Sequence, residues 1–107
     1  MRIRFYQTQS GSRPVEKYLS DLGIHERAKV AAAIENISKF GLDDSGVMCR
    51  HIEGKLWEIK VLAQRVFYVV ISGPEIVLLH LYKKQGQKAP KKEIETAQNR
   101  MKDVLGD

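Results

Sequence analysis

LWEIKVLAQRVFYVVISGPEIVLLHLYKKQGQKAPKKE, residues 56–93, decides the fold. Leu56–Val61 alternates, with Trp57, Ile59 and Val61 on one side and Glu58 and Lys60 on the other, the period-2 pattern of a half-buried strand. Arg65–Ile71 and Glu75–Tyr82 are richer in Val, Ile, Leu and aromatics and read as central strands. Ser72-Gly73-Pro74 supplies the turn between them. Directly beyond the last strand come Lys83, Lys84, Lys88, Lys91 and Lys92. An antiparallel sheet that delivers cations to one edge is a natural surface for a polyanion.

Upstream, Arg2–Gln7 alternates basic or polar residues with Ile3 and Phe5, predicting another strand, and Ser10-Gly11-Ser12 breaks it. Arg13–Leu22 reads as a short helix with Ser12 as cap, Pro14 in the first turn, and Val15, Tyr18, Leu19 and Leu22 at helical spacing. Gly23 is placed to end it. His25–Phe40 reads as a second helix with Val30, Ala33, Ile34, Ile37 and Phe40 on one face, closed by Gly41. Leu42–Gly46 is a polar loop, and Val47–Glu53 a further short strand. Downstream, Pro90 opens a last helix carrying Ile94, Ala97, Met101, Val104 and Leu105. The order predicts an α+β sandwich: a helical hairpin lying on the sheet, a C-terminal helix, helices mainly on one face, and a free opposite face or rim.

With 107 residues there is room for one domain, residues 1–107, and one core. A hydrophobic fraction of 43% argues against disorder. Cys49 is the only cysteine, so no intrachain disulfide can form and a reducing compartment is expected. MRIRFYQ lacks the apolar core of a secretion signal, and Val66–Ile71 is too short to cross a membrane as a helix. A soluble, cytoplasmic protein is the expectation. Eighteen Lys and Arg against thirteen Asp and Glu leave a net charge of +5, which favours phosphate partners through counterion release, and acidic proteins as well.

His25, His51, His80 and Cys49 include no pair at recognised ligand spacing, so no metal and no cofactor is expected. His80, between Leu79 and Leu81, reads as a hydrogen-bonded sheet histidine. There is no nucleophile-elbow motif and no glycine-rich phosphate loop. That leaves the cations. RNA carries its own nucleophile, the 2′-hydroxyl, so it can be cut without a metal. A protein must then assist deprotonation, neutralise the phosphorane and protonate the leaving oxygen. Crowded lysines carry protons better, and arginine suits the transition-state clamp. This logic selects Lys60, Arg65, Lys83 and Lys84, near the ends of consecutive strands; the competing reading is a solvated charged rim. Lys88 is a possible phosphate contact, while Lys91 and Lys92 oppose the helix dipole and suit solvent or binding. Trp57 and Tyr68 could stack on bases, though as strand residues they fit packing better. Arg65→Ala is expected to abolish most activity and spare the fold, provided Arg65 lies at the surface.

At these residues the chain resembles the RelE/HigB-like toxins of bacterial type II toxin–antitoxin modules, and within them the phage-derived HigB-type branch. The matching stretches are LWEIKV, RVFYVV and IVLLHLYKKQGQKAPKKEIETA, with Arg100 beyond; the N-terminal strand and SRPVEKYLSDL match more weakly. The resemblance implies a small α+β domain with a curved antiparallel sheet. It implies a metal-independent, ribosome-dependent mRNA endoribonuclease, neutralised by a cognate helix-turn-helix antitoxin. By position, Arg65 matches the arginine that contacts the scissile phosphate, Lys60 a basic residue in proton transfer or phosphate binding, and Lys83 and Lys84 the basic pair ending the last strand. Lys88, Tyr82 and Lys91 are the implied RNA contacts. Two departures stand out: Glu58 occupies the place of a catalytic lysine of RelE, and the C-terminal catalytic tyrosine has no counterpart. Glu58 could serve as a base or pair with Lys60. Two other readings stay open: a gyrase inhibitor of the ParE branch, and a degenerate toxin that only binds its antitoxin.

Overall fold

The structure is a computed structural model and describes residues 1–106. Its elements are β1 (Arg2–Phe5), α1 (Pro14–Asp21), α2 (Ile24–Asp44), β2 (Met48–Glu53), β3 (Leu56–Val61), β4 (Gln64–Ile71), β5 (Glu75–Lys83) and α3 (Lys91–Leu105). They form a mixed α+β fold around one curved five-stranded sheet of order β1-β5-β4-β3-β2. Four strands form an antiparallel meander, because short turns join them and hairpin connection needs no crossover. β1 adds to β5 in parallel, with α1 and α2 in the connection that follows it. The sheet is therefore mostly rather than wholly antiparallel.

The sheet has a core on each face. On one, Val15 of α1 and Val30 and Ile37 of α2 pack on Ile59, Val66, Tyr68, Ile76, Leu78 and Leu81. On the other, Ala97 of α3 packs with Leu56, Phe67, Val69, Val77, Leu79 and Tyr82, and Ile94 and Met101 close over them. Two of the three helices share a face, as expected, while α3 covers part of the face expected to be free. The open part of that face lies toward β2 and the β3–β4 turn.

A single extra residue in β5 sets which side chains reach this open region. Phe67 pairs with His80, yet Tyr68 pairs with Leu78, so Leu79 has no partner of its own across the ladder. This bulge turns both Leu79 and His80 toward α3 and reverses the phase of everything downstream. Leu81 then faces the α1–α2 side and Tyr82 the α3 side.

Several local expectations are corrected. Ser12 caps nothing; its backbone closes a loop with Thr8, and Arg13 is the residue before α1. Gly23 precedes α2 as its cap rather than ending α1, where Leu22 takes the terminal position. α2 does not stop at Gly41: it breaks there, at φ 80° and ψ 171°, and resumes through Leu42–Asp44, which is therefore no simple loop. Beyond the break the face turns, leaving Phe40 59% exposed instead of in the core. β1 ends at Phe5, two residues early, although Tyr6 still donates its N–H to the Leu78 carbonyl.

Candidate nucleic-acid interface

Sheet register assembles the site. Met48, Lys60, Arg65 and Tyr82 form one row across β2, β3, β4 and β5, and directly paired residues share a face. The next row is Arg50, Glu58, Phe67 and His80. α3 covers the His80 end of these rows, and their β2–β3 end is open. There Met48, Arg50, Glu58, Lys60, Arg65 and Lys84 line a cleft of about 290 Å³.

At the floor of this cleft lies Glu58, 3% exposed. A buried carboxylate is stable only with partners. Its Oε1 stands 3.4 Å from an Arg50 Nη and 3.9 Å from Arg65 Nε, and its Oε2 accepts a hydrogen bond from the Tyr82 hydroxyl at 3.4 Å. Burial, then the Glu58 charge, pushes the Tyr82 phenol up to about 12, so it stays protonated at neutral pH. Its ring stacks on Phe67 with centroids 5.4 Å apart, so Tyr82 offers its hydroxyl rather than a free aromatic face.

Arg65 is 7% exposed and rigidly held. One of its Nη atoms donates to the Leu62 carbonyl at 2.7 Å and the Gln64 carbonyl at 3.0 Å, both in the β3–β4 turn. The same turn is tied to β5 by the Lys84 N–H, which donates to the Ala63 carbonyl at 2.8 Å. Turn, Arg65 and Lys84 are thus one mechanical unit. Lys60 sits exposed beside Arg65 in the register.

Of the four cations singled out for chemistry, Lys60, Arg65 and Lys84 come together here. Lys83 faces the other side of the sheet, 3.8 Å from Glu26 of α2, because the bulge fixed that phase. Lys88 and Lys91 are exposed and do not line the cleft. Trp57 and Tyr68 belong to the helical-hairpin face, where they border a separate groove with Leu42, Val47 and Val70. Arg50 is the member that sequence reasoning missed. Its only signal was period 2: two residues after Met48 in a strand whose pairing with β3 was not legible.

His80 is held by α3. Its Nε2 donates to Glu93 Oε1 at 2.9 Å and its Nδ1 accepts from an Arg100 Nη at 3.2 Å. Burial lowers its pKa and Arg100 adds to this, against the raising effect of Glu93, so the ring is neutral. Arg100 also donates to the Leu79 carbonyl and lies over the Tyr6 ring, which makes it a strut between α3 and the sheet. Among the described residues no three His, Cys, Asp or Glu side chains form a group that could hold a metal ion. No described helix is long and apolar enough to cross a membrane.

A family model described as "Phage derived protein Gp49-like (DUF891)" matches residues 17–102. The chain belongs to that Gp49-like family, which is associated with toxin–antitoxin modules. No curated protein matches it.

Proposed function

We propose that this protein is the toxin of a toxin–antitoxin module and that it cleaves mRNA on the ribosome, without a metal, in the cleft between β2 and the β3–β4 turn. The observation that carries this reading is the convergence of Arg50, Lys60, Arg65 and Lys84 around one cleft whose floor is a single carboxylate. Four cations on one carboxylate leave a local excess of positive charge suited to a phosphodiester. The RNA 2′-oxygen attacks the adjacent phosphorus while its proton passes to a basic group. The bond from phosphorus to the 5′-oxygen breaks, and a proton is delivered to that oxygen. The products are a 2′,3′-cyclic phosphate and a 5′-hydroxyl. Arg65, always charged and pre-oriented by two carbonyls, is the clamp for the developing phosphorane charge. Lys60, exposed and free to move, is the proton carrier, and Lys84 adds charge at the rim. The implied partner is a cognate antitoxin of helix-turn-helix type, and the place of action is the cytoplasm.

Induction in bacteria followed by mapping of transcript 5′ ends tests this. New 5′ ends within translated frames, absent on induction of Arg65→Ala, are expected. Growth arrest with intact transcripts would sink the nuclease reading and favour a gyrase target; unchanged growth would favour an antitoxin-binding protein without toxicity.

A further inference from the structure

Two arginines face the Glu58 carboxylate, and they are held differently. The Arg65 side chain is 8% exposed and anchored by turn carbonyls. Arg50, on the edge strand β2, is 57% exposed, and its 3.4 Å approach to Glu58 Oε1 is its ion pair in the cleft. That separation is longer than the about 2.7–2.9 Å of a well-formed charge-assisted hydrogen bond. Such a pair is loose, and a phosphodiester with two free oxygens offers Arg50 the bidentate geometry that one carboxylate oxygen does not. Glu58 would not be left bare on losing Arg50, because Tyr82 and Arg65 remain beside it. A buried charge that keeps its other partners can release one without the penalty of isolation.

Resting on the RNA-cleft reading above, we propose that Glu58 is a built-in counter-anion. In the free protein it holds Arg50 in the cleft, and an incoming RNA phosphodiester displaces it and takes Arg50 over. Arg50 is then a binding residue supplied by exchange, and Glu58 is a positioning residue that sets how tightly RNA is held.

The probe is a 2′-O-methylated RNA oligonucleotide, which cannot be cleaved because its attacking hydroxyl is blocked. Affinity is measured across a range of salt for wild type, Glu58→Gln, Arg50→Gln and the double variant. Glu58→Gln should bind about tenfold tighter, as for one charged contact freed from competition. Its log affinity should fall more steeply with log salt, by about 0.7, as for one more phosphate neutralised on a single strand. Arg50→Gln should bind about tenfold more weakly and, in the double variant, should erase the gain. A Glu58→Gln protein that binds no tighter overturns the proposal. So does a gain that survives removal of Arg50, since that would be a general charge effect. Should Glu58→Gln fail to fold, Arg50→Gln decides alone: unchanged affinity overturns the exchange. Because no cleavage enters these measurements, a wild type that leaves transcripts intact would sink the nuclease reading and still allow the exchange to stand or fall.

Discussion

Leu62 occupies the left-handed region at φ 55°, on the tip of the β3–β4 turn, and 60% of its surface is exposed. A bulky side chain there costs about 1–2 kcal/mol and gains no burial in return. The conformation persists because Arg65 and Lys84 both hold the turn's carbonyls. Leu62→Gly relieves the strain and adds unfolded-state entropy worth about 0.5–1 kcal/mol, so a net stabilisation of up to about 1 kcal/mol is expected. Urea unfolding midpoints measure it. Arg65 itself carries two roles. Arg65→Ala should lower cleavage about 10²–10³-fold and, because two turn carbonyls lose their donor, also cost about 1–3 kcal/mol. The surface position that would have spared the fold is not what the structure holds, and a thermal melt beside the transcript assay separates the two losses. Alternation put Glu58 and Lys60 on one side of β3 correctly. It could not show that Glu58 is buried, because that follows from partners on β2, β4 and β5 which a single strand's pattern does not contain.

At the scale of elements, the strands from Leu56 to Tyr82 were legible because their apolar runs are long and bounded by turn residues. What was not legible was the phase of their ends. A one-residue bulge in β5 leaves composition and periodicity almost unchanged, yet it decides that Lys84 and not Lys83 enters the cleft. The break in α2 escaped for a similar reason: glycine after a helical run reads as a stop, and resumption beyond it depends on tertiary contact. Gly41, at φ 80° and ψ 171°, occupies backbone space essentially reserved for glycine. No neighbour lies within 4 Å of an added Cβ, so Gly41→Ala tests backbone strain alone. A loss of about 1–3 kcal/mol is expected in denaturant unfolding. The joint between β5 and α3 is pH-sensitive. His80 has a lowered pKa in the fold, so below the ordinary histidine value of about 6.5 the unfolded chain binds a proton more readily. Stability from this joint is complete above that value and is lost as pH falls from there through the folded pKa. Unfolding free energies from pH 8 to pH 5 should show the decline, and His80→Asn should flatten it.

Across the whole molecule, the cleft is built by residues 48–84 of the meander and does not include the N-terminal strand. β1, by contrast, pairs Arg2 with Glu75 and Phe5 with Leu78, contacts among the most distant in the chain. Closing so long a loop costs entropy that local hairpins do not. The meander is therefore the first part expected to form and β1 the last to arrive. In that interval β5, whose Ile76, Val77, Leu78 and Leu79 are wholly buried in the finished fold, presents an unpaired apolar edge. Two half-folded copies meeting along that edge would satisfy it in each other, so renaturation should be a race between self-completion and clumping. Diluting the chain before removing denaturant should raise the recovered yield, and a yield indifferent to dilution would show that the first strand seats early.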